Sequence, residues 1–410
     1  MALCAALIAR RSSPAAEALT LKILNIFLAQ RHLRLRSASV LSRPIGLVVD
    51  PSNLCRLACP GCVHSERSES LNLFGWRKGT LPDDRFSALL QLCGPHAIGV
   101  YFCNYGEPLL NLSTPKLIRR AKAYLLWTGL STSLSVQRFD ADAYVESGLD
   151  FMALSIDGAT QPAYGRFRRN GHLCLVFENI RKLVNAKRKL RLRTPVLSWN
   201  YLAFEHNVHE IPLARRIARR LGVDRFRVVA PFDVSWDDPQ IRPRPQRAGL
   251  WRLSWLPRLS GAANWNPFPD EVDGAAITRA FDSGWPDHDA PSIAQTAGHT
   301  CHWLYKNLVM DATGRILPCC GSPRPAVDLV FATLDGALEH RGDPYNSEKY
   351  QRARSWFAGS SGDAAGAPYC ARCEWDQRNV NIGGPEIRRY FRAAGSSAFN
   401  RESLRLLSEW

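Results

Sequence analysis

No stretch of this 410-residue chain reaches the ~18 consecutive apolar residues that a membrane-crossing helix needs. The N-terminal run does not read as a secretory signal either. The short apolar run over residues 2–9 precedes Arg10 and Arg11, whereas a signal peptide carries its charge before the run. There is no internal repeat and no DNA- or RNA-binding signature. Acidic residues are scarce beside basic ones, 37 against 53, for a formal net charge of +16. That balance favours anionic partners, but the basic residues form no single stripe. The expectation is a basic cytoplasmic enzyme with a solvated surface, no nucleic-acid partner and no stable membrane insertion.

Apolar residues make up 46% of the chain, enough for a large core in two or three domains. Twelve cysteines in a long chain without a secretory signal point to metal binding or catalysis rather than a disulfide framework. Residues 16–42 alternate Leu and Ile with Arg and Lys at helical spacing, which predicts an amphipathic N-terminal extension over 1–43. From Pro44 the pattern changes to repeated strand–helix steps. Strands are expected over 45–50, 97–103, 130–136, 151–156, 195–204 and 225–230. Helices are expected over 82–92, 115–126, 141–147, 173–189 and 208–221, the last ending at Gly222. Six such steps predict an α/β fold with a parallel sheet, open or closed, over 44–230. Residues 231–300, rich in Pro, Trp and Asp, read as a linker; 301–384 form a second Cys-containing region; 385–410 read as a helical tail.

Three thiols stand close in sequence, Cys55, Cys59 and Cys62, in a loop after the first strand. Their Cys-x3-Cys-x2-Cys spacing suits a four-iron cluster with one iron left open. A zinc ion with His64 as local fourth ligand is the alternative that spacing leaves open. In the second region two apolar segments flank Asp311-Ala312-Thr313-Gly314 and predict a β-hairpin with Cys301 before it and Cys319-Cys320 after it. Cys370 and Cys373 add a Cys-x2-Cys pair. A zinc ribbon and an iron–sulfur site fit this set equally on spacing alone.

The first loop and its context resemble the radical SAM superfamily. Gly106-Glu107-Pro108 after the second strand is similar to that family's Gly-Gly-Glu-Pro motif, with Tyr105 in place of the first Gly. Ser131-Thr132-Ser133 lies where relatives carry a polar turn, and Ser155-Ile156-Asp157-Gly158 is similar to the family's Ser-Ile-Asp-Gly segment, followed by Tyr164, Arg168 and Gly171. Phe204-Glu205-His206-Asn207 also matches. The resemblance implies a partial (βα)6 barrel, with a [4Fe-4S] cluster on Cys55, Cys59 and Cys62. It also implies S-adenosylmethionine (SAM) contacts from Gly106, Glu107, Ser133, Ser155, Asp157 and Arg168. Reductive cleavage of SAM to a 5′-deoxyadenosyl radical and hydrogen abstraction from a substrate follow.

The C-terminal cysteines resemble a SPASM or shorter twitch domain, a small α+β Cys-rich unit. The likeness implies a second, auxiliary [4Fe-4S] cluster on Cys301, Cys319, Cys370 and Cys373, with Cys320 able to replace Cys319. From it follow a flavodoxin- or ferredoxin-type electron donor, a small-molecule or peptide substrate, and an oxidoreductase in which the auxiliary cluster accepts an electron in a two-electron oxidation. A peptide-modifying maturase and a non-enzymatic zinc protein are the other expectations.

Overall fold

The computed structural model describes residues 14–65, 78–229, 241, 301–319, 330–340, 342–359 and 370. The expected tail, Cys320, Cys373 and all of the expected linker except Ile241 lie outside them.

The chain begins with helix α1 (Pro14–Leu35). Its inward face carries Leu19, Ile26, Ala29 and Leu33, and also Lys22 and Asn25, all buried. The Lys22 ammonium donates to the carbonyls of Gly94 and Ala97. The Asn25 amide bridges Arg43 and His96. The helix is shorter than the expected 16–42, because Arg36 adopts a left-handed conformation (φ 51°) and the chain turns out. Among the described residues no helix is long and apolar enough to cross a membrane.

Burial pushes the Lys22 ammonium down to about 7 from its ordinary 10.5. Between those values the unfolded chain binds one more proton than the folded one, so folding stability rises with pH across that window. In Lys22→Met this contribution disappears, and urea unfolding measured across the window should show a shallower rise than in the parent chain.

Six strands follow: β1 (Gly46–Val49), β2 (Gly99–Phe102), β3 (Trp127–Thr132), β4 (Phe151–Ser155), β5 (Val196–Leu202) and β6 (Arg225–Val229). All pair in parallel and in sequence order. The intervening helices are α2 (Asp83–Cys93), α3 (Thr114–Ala123), α4 (Ala141–Glu146), α5 (Gln161–Phe167), α6 (Leu173–Lys189) and α7 (Ile211–Leu221). Helix α7 ends at Gly222 with φ +79°, as its sequence predicts. The sheet is not a closed barrel. Its order is β6-β5-β4-β3-β2-β1-β7-β8-β9, so the free side of β1 is taken by the C-terminal region. There α8 (Trp303–Lys306) leads into β7 (Asn307–Met310), which runs parallel to β1 with Val49 opposite Met310.

Strands β8 (Arg315–Leu317) and β9 (Ala332–Thr333) complete an antiparallel meander. The turn Asp311–Gly314 of the expected hairpin is present: the Asp311 carboxylate accepts from the Thr313 and Arg315 amides and from the Arg315 guanidinium. Helices α9 (Leu334–Glu339) and α10 (Glu348–Phe357) pack beside it. Every residue of β1 and β7 is buried, as expected of parallel strands covered on both faces. The C-terminal region thus shares its sheet with the six βα steps.

Candidate functional site

The residues singled out from the sequence gather at the C-terminal ends of the parallel strands, where such folds place their chemistry. The loop after β1 carries Cys55, Cys59 and Cys62. These thiols pack in one apolar cluster with Leu57, Phe167, Phe204, Ile241 and Leu202. Burial pushes the Cys55 thiol up to about 12, with the charge of Glu107 adding to it. Burial takes Cys59 up to about 11, against the pull of Arg168, and raises Cys62 as well. A cationic metal group reverses this logic by displacing the protons.

The loop after β2 is fastened to the cysteine loop. Asp50, at the end of β1, accepts from the amides of Tyr105 (3.2 Å) and Gly106 (3.3 Å), and the Glu107 amide donates to the Leu54 carbonyl at 2.7 Å. Burial holds the Asp50 carboxyl well above the usual carboxylate range. Gly106 lies flat on the first loop: a Cβ there would sit 1.7 Å from the Ser52 carbonyl oxygen.

Glu107 is buried, and its acceptor positions are filled from within. Oε1 accepts from the Leu109 amide (3.2 Å) and the Thr132 hydroxyl (2.5 Å); Oε2 accepts from the Ser133 amide (2.9 Å) and hydroxyl (2.7 Å). A carboxylate offers about four acceptor sites, so Glu107 braces the β2 and β3 loops. Contact with a ligand ammonium requires one donor to turn away, most readily the Ser133 hydroxyl. In Glu107→Gln the amide NH2 faces donors, and loss of one buried charge-assisted bond costs about 1.5–3 kcal/mol. The expected outcome is a lower melting temperature together with SAM binding weakened about tenfold or more, at unchanged iron content. Calorimetry and equilibrium binding check both, and unchanged values in both would remove Glu107 from the site.

Beyond β4, Asp157 is fully buried and pairs with Arg168, Nε to Oδ2 at 2.6 Å. Its other oxygen accepts from the Leu202 amide at 2.7 Å. Arg168 turns Nη1 to the Cys59 sulfur at 3.8 Å and lies over the Phe167 ring at 5.0 Å. The Asp157–Arg168 pair therefore places a guanidinium beside one of the three thiols. Gly158 is required here because a Cβ would meet the Tyr164 backbone nitrogen at 2.4 Å. Ser155 lies 3.5 Å from the Ser131 hydroxyl and is otherwise partly open.

Two groups escaped the sequence reading. Glu210 accepts from the Ala159 and Thr160 amides and the Thr160 hydroxyl, holding the loop after β4. Asn207, inside a motif that was noticed, ties Asp157, Leu202 and Phe204 by backbone contacts and is structural. For Glu210 no local signal exists, since its partners lie 50 residues away.

His64 directs Nε2 to the Tyr105 carbonyl at 2.6 Å. Among the described residues no three His, Cys, Asp or Glu side chains stand at single-ion spacing. A multi-iron cluster spaces its thiolates more widely than one ion does. The residues otherwise suit such a group: three thiols from one loop packed together in an apolar setting. In the C-terminal region Cys301 and Cys370 are buried and Cys319 is half-buried. All three belong to or pack against the main core.

No family model matches the chain. It is similar to a PqqA peptide cyclase of Methylorubrum populi, 26% identical over 308 residues, 73% of this chain and 72% of that one. With a PqqA peptide cyclase of Xanthomonas campestris pv. campestris the identity is 24% over 203 residues, 48% of this chain and 50% of the relative. The chain thus spans about half the length of several curated relatives it matches. Among solved structures, Streptococcus suis SuiB bound to S-adenosylmethionine aligns with a TM-score of 0.47 at 16% identity, over 71% of this chain and 64% of that one.

Proposed function

We propose that this radical SAM superfamily enzyme modifies a peptide, removing two hydrogens from it in a net two-electron oxidation. Similarity to PqqA peptide cyclases, over as much as 73% of the chain, is the observation that supports a peptide rather than a small molecule. Bound together, SAM and a [4Fe-4S] cluster supply a 5′-deoxyadenosyl radical able to take hydrogen from an unreactive carbon.

The chain's own part is holding and shielding. Cys55, Cys59 and Cys62 would hold the cluster, with Arg168 fixing the charge beside Cys59. The Gly106–Glu107 loop and Ser133 would seat the methionine end of SAM, with Ser155 and the Asp157–Arg168 pair beyond them. Phe167, Phe204 and Leu57 exclude water from the thiol side, where stray hydrogen donors would quench a radical. Cys301, Cys319 and Cys370, with Cys373, would hold the second cluster.

The test is anaerobic incubation of the reduced, reconstituted protein with SAM and a panel of synthetic peptides, PqqA peptide among them. Formation of 5′-deoxyadenosine with a peptide lighter by two hydrogens supports the proposal. 5′-Deoxyadenosine formed with every peptide unchanged, while an alcohol substrate is oxidised, would overturn the peptide reading.

A further inference from the structure

Eight large apolar side chains stand exposed among the described residues, and five of them lie together. Leu21, Phe27, Leu28 and Leu35 belong to α1, and Leu41 to the segment just after it. Leu35 is 63% exposed and Leu41 82%. The Leu41 amide donates to His32 Nε2 at 3.2 Å, which lays that segment back against the helix and adds Leu41 to the same patch. Leu21, Leu28 and Leu35 recur at every seventh residue, so they form one line along the helix axis. Phe27, Arg31 and Arg34 run beside that line at i, i+4 and i+7, all three exposed. The opposite face is tied to the domain by the buried Lys22 and Asn25. Their bonds to Gly94, Ala97, Arg43 and His96 fix the rotation of the helix. Helix α1 is thus apolar on both sides, a pattern that belongs to helices covered all round.

The charges on the outer face say what covers it. Arg31 and Arg34 are exposed and enter no ion pair among the described residues. Glu17 is the only acidic residue from position 14 to position 43, and it stands in the first turn, about four turns from Arg31. The cover must therefore be apolar with anionic groups close by. A second copy of the chain needs more surface than this face gives. The stripe is about 33 Å long and about 10 Å wide, or about 330 Å², against the ~800 Å² per partner of a standard protein interface. A bilayer sets no such minimum, because each apolar side chain enters the acyl region separately and each cation meets lipid phosphates.

We propose that the outer face of α1, extended by Leu41, seats this protein on an anionic lipid bilayer. The helix lies along the headgroup plane and does not cross the membrane. Phe27, Leu28, Leu35 and Leu41 dip toward the acyl chains, while Arg31 and Arg34 face the phosphates. The buried ties of Lys22 and Asn25 keep the helix on the domain, so the whole enzyme is carried to the surface.

The experiment is co-sedimentation of the full chain with vesicles of equal parts phosphatidylglycerol and phosphatidylcholine, and with vesicles of phosphatidylcholine alone. Binding to the anionic vesicles is expected, falling steeply at about 1 M salt, where the Debye length is about 3 Å. Arg31→Gln with Arg34→Gln should weaken it about thirtyfold. Phe27→Gln with Leu35→Gln should lower it to the level seen with neutral vesicles. Leu112→Gln with Leu192→Gln, which changes exposed apolar residues elsewhere, should leave it intact. All six side chains are exposed, so melting temperatures should stay close to the parent's. No binding by the parent, equal binding to both kinds of vesicle, or full binding by the folded Phe27→Gln, Leu35→Gln variant overturns the proposal. A parent that stays off vesicles and runs as a dimer on gel filtration, where that variant runs as a monomer, overturns it and assigns the face to a second copy.

Discussion

Changing Cys55, Cys59 and Cys62 together to alanine is expected to abolish 5′-deoxyadenosine formation while leaving the fold in place. The thiols share one apolar cluster with Leu57, Phe167 and Phe204. Removing three sulfurs leaves small cavities, each costing about 1 kcal/mol at most on the cavity scale. The strands beneath keep their register, because β1 is held on both sides by β2 and β7. Iron should fall to about half if the C-terminal thiols hold a second cluster of the same kind. They sit on other elements: Cys301 before α8, Cys319 after β8, and Cys370 beyond α10. Circular dichroism establishes folding; iron, sulfide and product analysis read the effect. Persistent 5′-deoxyadenosine in the folded triple variant would move the SAM site elsewhere. Zinc in place of iron in the parent protein would end the radical reading altogether.

Gly106→Ala is expected to be nearly as damaging, though it adds a single methyl group. The new Cβ would meet the Ser52 carbonyl oxygen at 1.7 Å, the Ser52 carbonyl carbon at 2.6 Å and Asn53 Cα at 2.7 Å. All three are backbone atoms and cannot rotate away. The two loops must part, which stretches the Glu107–Leu54 and Gly106–Asp50 bonds. Overpacking of this kind costs about 3 kcal/mol or more, and a displacement near 1 Å at a catalytic site lowers turnover about a hundredfold. Gly165→Ala is the control. It makes the same change on α5, where the closest atom is the end of the flexible Gln161 side chain. Alanine also favours the helix by ~1 kcal/mol. Loss of SAM cleavage in Gly106→Ala with full activity in Gly165→Ala would establish loop contact as the cause. Equal activity in both would show that the two loops can part without loss of function.

Much of this was legible in the sequence because periodicity is local. Five of the six parallel strands fall within the runs that predict them, and α6 spans the expected 173–189. The third strand was expected over 130–136 but occupies Trp127–Thr132. Leu134 and Val136 prolong the apolar run, yet they are buried as loop residues beneath Asn179, whose amide holds both carbonyls. Helix α5 was missed because Pro162 and Gly165 break its pattern; its proline stands in the first turn, where the missing N–H does no harm. The expected helix over 208–221 opens with a 3-10 turn over Val208–Glu210.

In the site, the cysteines, Glu107, Asp157 and Arg168 could be named from motif order. What each one touches could not. That Glu107 spends its carboxylate on Thr132 and Ser133, or that the buried Arg354 bonds the Leu304 and Ala38 carbonyls, depends on partners dozens to hundreds of positions away. For the same reason residues 301–317 read as the start of a separate unit, whereas β7 joins the main sheet beside β1.

That last pairing has a consequence for how the protein is made. β1, which carries the cysteine loop at its end, gains one of its two neighbours only when Asn307–Met310 has left the ribosome. At ordinary elongation rates the interval is about 10–50 s. Throughout it the three thiols are exposed on a strand with an open edge, vulnerable to oxidation and to capture by whatever metal is free. The final packing of the cysteine loop is thus timed by translation of the far end of the message. Slow codons between the two segments should lower the yield of iron-loaded protein without altering a single residue.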